Sequence, residues 1–496
     1  MDTFPGRCSE AALDSLVGRL LAGPRWPQKE FVIGRTTYAA LYAMAAHLRS
    51  SLGLGADGPP VCLCAQDKAV IAAALLSALA GGPAMVVPHA FRLPVLEELR
   101  CLTGFQTILT DNPLPAPAGV RCFQLAAGAE RWVSAESLAT RTSNSEWVRL
   151  FTGGSTGAPR MWTKTVRNLF AETVSIIANY GVTPEDRLVA TVSPNHIYGL
   201  LYAVLTPLVA SAAVAPETPS FPAEIESAVR DNGASILISV PAHYRALNGH
   251  PFASISLRLA FSSAGMLAAE DAESFSAQTG VGVAEIYGST ETGGIAGRVR
   301  ADGQSDYRPY AGIDIKIEAE RLKVRSDYLS PELLLDEEGY FMVGDRARAT
   351  VGNQFELLGR VDGIVKVGGK RVDLEAVRES LKRQPGITDA LAISLPVGKG
   401  LENLVVAVVE GRPETVDLTS LRLDDLETCA RPRRIKVVEK IPVTEAGKYD
   451  RKTIEALFRF DGHDRGSAEA MAEPLCEQGN AIMQQLPDTL VAVGKE

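Results

Sequence analysis

Phe151-Thr152-Gly153-Gly154-Ser155-Thr156-Gly157-Ala158-Pro159-Arg160 is the stretch on which the reading of this chain turns. Three glycines, two threonines and a serine stand between the strand-like Trp147-Val148-Arg149-Leu150 and a basic segment containing Arg160 and Lys164. A loop without bulky side chains lets backbone N–H groups and hydroxyls approach an anion, and flanking cations add charge. That composition suits a polyphosphate cradle. Two other readings fit the same residues. Gly153-Gly154-Ser155-Thr156-Gly157 also matches G-x-S-x-G, the nucleophile elbow of serine hydrolases, which needs a strand–Ser–helix turn followed by an acid and a histidine. The four histidines after Ser155 are His196, His243, His250 and His463, and no HGGG-type segment precedes it. A plain surface turn is the third reading. A Walker A loop is excluded, since no G-x-x-x-x-G-K-[ST] string occurs.

At 496 residues, with 46% hydrophobic and 22% charged content, the chain has room for more than one domain around sizeable cores. A net charge of −9 and a pI near 5.4 argue against a nucleic-acid surface. Seven scattered cysteines form neither a disulfide framework nor a zinc pattern. With no apolar leader after Met1, these features lead us to expect a cytoplasmic protein. The charge-free run from Ala69 to Val87 is interrupted by Gly81-Gly82-Pro83, so it reads as a core helix, a turn and a strand. The apolar segment from Leu200 to Val214 reads as core too, and no membrane span is expected.

Working outward from the loop, helical and strand patterns alternate through the first half: a helix over Thr37 to Leu52, a strand over Pro60 to Cys64, a helix over 67–80, then strands at Ala84 to Val87 and Thr107 to Thr110. Gly53-Leu54-Gly55-Ala56-Asp57-Gly58 spells the dinucleotide fingerprint, but it follows a helix and precedes a strand, so it reads as a helix-ending loop. A helix from Val166 to Tyr180 comes next, with strands at Leu188 to Val192, Ser235 to Val240 and Leu257 to Phe261. Short β-rich pieces follow from about residue 310. The predicted fold class is α/β: a large N-terminal domain of parallel sheets covered by helices with a β-rich part, and a small mobile α+β C-terminal domain. The expected division is 1–360, 361–458 and a polar tail at 459–496.

Four more segments carry chemistry. Tyr287-Gly288-Ser289-Thr290-Glu291 is a second Gly/hydroxyl loop with an aromatic and an acid, and Val343-Gly344-Asp345 reads as a strand that ends in an acid. Gly359-Arg360-Val361-Asp362 offers a cation and an acid, and Thr444-Glu445-Ala446-Gly447-Lys448 sets a lysine on a turn. Taken alone, Lys448 is a solvated lysine; only the company it keeps gives it a role. Together the segments would supply an acid for a ribose, an acid for Mg²⁺, a ring for a base and cations for phosphates.

In order and spacing these strings resemble the core motifs of the adenylate-forming superfamily, which holds acyl- and aryl-CoA synthetases, peptide-synthetase adenylation domains and firefly luciferase. The likeness spans roughly residues 30 to 455. It implies ATP and Mg²⁺ as cofactors, with Thr152, Gly153, Gly154, Ser155, Thr156, Gly157 and Arg160 around the β- and γ-phosphates. Gly265 and Met266 would lie by the adenine and Tyr287 would stack on it. Thr290 would reach the α-phosphate, Glu291 would hold the metal, and Asp345 and Arg360 would take the ribose. Asp362 would be the hinge and Lys448 the lysine that tracks the transferring oxygens. His196 would line or gate an acyl pocket with Ile197, Tyr198, Leu201, Val240, Ser262 and Gly288.

The chain departs from the superfamily at Gly153, where serine is usual, and at Arg160-Met161, where Lys-Gly is usual. Ser193-Pro194-Asn195-His196-Ile197-Tyr198-Gly199 lacks the acid that anchors an amino group and resembles the pattern of acyl- and aryl-acid ligases. The implied partner is a small carboxylic acid, aryl or medium-chain, with a likeness to the short stand-alone ligases of bacterial aryl-polyene pathways. CoA or phosphopantetheine, the latter on an acyl carrier protein, would be the co-substrate. The rival readings are a non-catalytic nucleotide or acyl-adenylate binder and the serine hydrolase.

Overall fold

The computed structural model describes residues 9–125, 141–152, 159–252, 256–300, 306–360, 363–396, 403–412, 415–442, 449 and 451–459. Six strands form one sheet in the order Arg121–Gln124, Thr107–Thr110, Val61–Cys64, Met85–Val87, Glu146–Thr152, Arg160–Thr165. Every neighbouring pair is parallel except the last. Val61–Cys64 is buried at all four positions, as a parallel strand covered on both faces should be.

A nine-stranded sheet stands beside it. Its middle is parallel, running Val283–Ser289, Leu259–Ser262, Ile236–Ser239, Arg187–Ala190, Ala213–Val214, Glu30–Val32. Gly293–Val299 and Arg308–Pro309 extend one edge antiparallel.

Two helices join these sheets into one core. All twelve residues of Lys68–Leu79 are buried, and small alanines let neighbouring elements come close on every side. This explains the charge-free run: among the described residues no helix is long and apolar enough to cross a membrane. The helix Val166–Tyr180 starts on a capping box, with the Thr165 hydroxyl accepting from the Asn168 N–H and the Asn168 side chain accepting from the Thr165 N–H. Its Phe170 ring stacks on Trp147 of the first sheet at 4.9 Å. At its other end Tyr180 meets Phe261 of the second edge-on at 4.6 Å.

A four-stranded antiparallel sheet follows, made of Asp314–Glu318, Arg321–Arg325, Phe341–Ala349 and Phe355–Arg360. Here one expectation is corrected. Asp345 does not end a strand but lies in the middle of Phe341–Ala349, with Arg360 as its Cα partner across the ladder. The strand runs on because Arg346 to Ala349 still has Phe355–Arg360 to pair with.

Beyond residue 362 the chain packs around cores of its own. The hairpin Ile364–Val367/Lys370–Asp373 leads into the helix Leu374–Lys382 and a three-stranded sheet of Asp389–Pro396, Asn403–Glu410 and Arg434–Val438. One face of that sheet covers Val377, Leu381 and Val405; the other covers Val406, Ile454 and Phe458.

Candidate active site

The glycine-rich stretch joins two antiparallel strands, with Thr152 opposite Arg160 in register. Residues 153–158 lie outside the described residues, as do Asp362 and Lys448. The next described element is the strand Arg160–Thr165, not the helix that follows the serine of a hydrolase elbow. Thr152 accepts from the Trp162 indole N–H at 3.3 Å. The exposed Arg160 guanidinium stacks over the Trp162 ring at 4.3 Å. Lys164, read from sequence as a second cation of the loop, is instead 1% exposed. Its ammonium donates to the Tyr328 carbonyl at 2.9 Å and the Glu291 carbonyl at 3.3 Å.

Tyr287, Thr290 and Glu291 belong to one β-hairpin, the strands Val283–Ser289 and Gly293–Val299. The Tyr287 phenol donates to Asp345 Oδ2 at 2.8 Å, and its ring packs against Tyr307 and Phe355. Because Arg360 pairs with Asp345, the structure brings Tyr287, Asp345 and the Arg360 backbone together from three strands. At the hairpin turn the hydroxyls of Ser289 and Thr292 are 2.9 Å apart and each meets the other residue's N–H, which stiffens the turn beneath Thr290 and Glu291.

Glu291 offers one oxygen to Arg371 at 3.4 Å. Its other oxygen, Oε2, is buried without a hydrogen-bond partner. An orphaned carboxylate oxygen fits a hard cation. Among the described residues no group of three or more His, Cys, Asp and Glu could hold a metal.

Val240 and Ser262 lie at the carboxyl ends of parallel strands, the usual place for a ligand in an open α/β sheet, and His196, Ile197, Tyr198 and Leu201 follow the strand Arg187–Ala190. His196 precedes the short helix Ile197–Leu200, and the backbone there is tight: a Cβ on Gly199 would fall 2.1 Å from the Ser193 carbonyl oxygen. His196 reaches solvent, while desolvation by surrounding protein, and then the nearby His89, holds its pKa below the ordinary value. The Tyr198 phenol donates to the Ser239 carbonyl at 3.2 Å, and its ring meets Tyr202, which meets Phe261. Leu201 is buried in the central core, and Val240 precedes the short helix Pro241–Ala246. Gly288 lies at an irregularity of the hairpin register. Ser262, paired with Ser239 in register, is 1% exposed and its hydroxyl has no partner. A Cβ on Gly265 would meet Pro241 at ordinary van der Waals range, and Met266 is 56% exposed. The preceding Ala264 holds a left-handed φ of 67°, a costly conformation for a residue with a Cβ.

Several groups at the site went unread in the sequence. Lys366, before the Gly368-Gly369 turn, donates to the Ala264 carbonyl, and Arg371, after it, reaches Glu291. Thr191 bonds both Ser239 at 2.8 Å and His243 at 2.7 Å, forming a buried polar chain beside Ser262. Glu172 is 5% exposed and accepts from the Gly294 N–H at 2.6 Å. The one signal for it was the pair Gly293-Gly294, which marks a place where something approaches the backbone closely.

The parallel sheets, with Tyr287, Thr290 and Glu291 on one hairpin, define an α/β fold class. The chain belongs to the AMP-binding enzyme family, whose model matches residues 22–344. It is 27% identical over 334 residues to the sulfoacetate–CoA ligase of Cupriavidus necator, a match covering 61% of this chain and 65% of that one. It is 30% identical over 310 residues to the 4-coumarate–CoA ligase of Cereibacter sphaeroides, covering 60% of this chain and 68% of the relative. In fold it resembles a double mutant of the o-succinylbenzoate CoA synthetase of Bacillus subtilis, with a TM-score of 0.69 at 18% identity over 89% of this chain and 98% of that one.

Proposed function

We propose that this protein joins a carboxylic acid to a thiol at the expense of ATP. In the first half-reaction a carboxylate oxygen attacks the ATP α-phosphorus, pyrophosphate leaves, and an acyl-adenylate forms. In the second, a thiol attacks the acyl carbon, AMP leaves, and the thiol proton passes to solvent or a base. The observation that carries this reading is the Glu291 carboxylate, with a free buried oxygen, on the hairpin that also holds Tyr287 against Asp345.

In this reading residues 152–157 and Arg160 hold the β- and γ-phosphates, Thr290 meets the α-phosphate, and Glu291 holds Mg²⁺, which neutralises phosphate charge when bound. Tyr287, Gly265 and Met266 flank the adenine, and Asp345 and Arg360 take the ribose hydroxyls. Lys448 bridges carboxylate and α-phosphate oxygens as charge builds, a task that suits a compact ammonium on a flexible stem. Residues 361–458 then turn about Asp362, withdraw Lys448 and bring the Gly368-Gly369 turn to the thiol. The contacts of Lys366 with Ala264 and of Arg371 with Glu291 support a resting arrangement suited to this second half.

The acid that fits best is an aryl acid such as a 4-hydroxybenzoate, with a medium acyl chain as the alternative. The Tyr198–Tyr202–Phe261 series offers aromatic surface, and the unpartnered Ser262 hydroxyl offers one place for a polar ring substituent. CoA or a carrier-borne phosphopantetheine is the acceptor, and His196 stands at the rim.

Carboxylate-dependent ATP–pyrophosphate exchange across a panel of aryl and aliphatic acids tests this. Exchange is expected with an aryl acid and is expected to vanish in Lys448→Ala. Absence of exchange with every acid would favour a nucleotide-binding protein without turnover.

A further inference from the structure

The turn carrying Thr290 and Glu291 is held from beneath at both ends by two buried charged side chains. Lys164 lies on the strand Arg160–Thr165 and grips the Glu291 carbonyl, which also accepts from the Ser330 N–H at 2.9 Å. Glu172 lies two helical turns into Val166–Tyr180 and grips the Gly294 N–H. The approach is close enough to dictate sequence: a Cβ on Gly293, whose φ is 67°, would stand 2.5 Å from Glu172 Oε2 and 2.7 Å from Tyr328 Cβ. Burial lowers the Lys164 pKa and raises that of Glu172, and in each case the other's charge is the first force opposing the shift. Two ionisable groups buried this deeply are expensive, so a hydrophobic pair would pack there at less cost unless their hydrogen bonds matter.

Neighbouring bonds show what is being tied together. Asn168 donates to the Asp327 and Leu329 carbonyls at 2.7 and 3.1 Å, and the Thr163 N–H donates to Glu332 at 2.8 Å. The segment leaving the glycine-rich loop is thus fastened to both the 327–332 loop and the Thr290–Glu291 turn.

We infer that Lys164 and Glu172 are positioning residues, which act through the backbone of residues 291–294 to hold Thr290 and Glu291 at a fixed height above the segment that follows the glycine-rich loop. This rests on the adenylation reading of that turn. Both side chains are buried, and neither is among the residues assigned to substrate in the proposed function. Their contribution therefore falls on the rate of adenylation rather than on capture of the acid.

ATP–pyrophosphate exchange by the full-length chain tests it, with Lys164→Met, Glu172→Gln and the double variant beside the parent. Met keeps length without a donor; Gln keeps shape without the charge. In variants that melt cooperatively, kcat for exchange is expected to fall threefold or more while KM for the acid stays within twofold, and the double variant to be no worse than Lys164→Met alone. If Lys164→Met does not fold, Glu172→Gln decides by the same threshold. A kcat drop of less than threefold, or a loss confined to KM, overturns the inference. An inactive parent overturns the function instead, so the two failures are separable.

Discussion

Tyr287 has two faces, an aromatic one packed on Tyr307 and Phe355 and a polar one that fixes Asp345. Tyr287→Phe keeps the ring and removes the donor. One net hydrogen bond is worth about 1 kcal/mol, so KM for ATP in the exchange assay is expected to rise about fivefold with kcat little changed. An unchanged KM would mean that Asp345 does not depend on the phenol. At this scale the sequence grouped Tyr287, Thr290 and Glu291 in one Gly/hydroxyl segment, and the fold carries them on one hairpin. The sequence misled at Lys164, because a cation near a loop in sequence says nothing about which side of the strand it occupies. In the fold Lys164 points into the protein and meets carbonyls from residues 127 and 164 positions away.

Helix and strand limits were legible wherever a capping signal stood at the end. Val166–Tyr180 begins at the Thr165–Asn168 box and ends at Gly181 in the left-handed region. The strand through Asp345 was cut short because Arg346, Arg348 and their neighbours hide the alternation, and only the partner strand extends it. Lys68–Leu79 shows a further consequence of burying an element on all sides. Its Lys68 donates to the Pro216 and Glu217 carbonyls at 3.1 and 3.0 Å, and burial pushes its pKa from 10.5 down to about 8. The unfolded chain therefore binds this proton more tightly, so the Lys68 contribution to stability is lost as pH falls from 10.5 through about 8. Relative to parent, Lys68→Met is expected to gain up to about 3 kcal/mol in urea unfolding over that interval. A stability difference that stays flat with pH would contradict the burial argument.

At the scale of the whole molecule, the proposed reaction makes the contacts between the part after residue 362 and the hairpin of the large part the place where one half-reaction would be favoured over the other. Arg371 meets one oxygen of the carboxylate proposed to hold Mg²⁺, so its positive charge would oppose a cation on the other. In Arg371→Ala, thioester formation from added acyl-adenylate is expected to slow tenfold or more, while ATP–pyrophosphate exchange stays within threefold of parent. Equal loss in both assays would place Arg371 outside this switch. The α/β class and the family followed from sequence alone, because periodicity and motif order are local or one-dimensional properties. Which charges are buried, which carboxylate oxygen is left free, and which side chains grip the Thr290–Glu291 turn were decided only by tertiary structure. Those facts depend on elements far apart in the chain arriving within hydrogen-bonding reach of one another, and on the desolvation that follows.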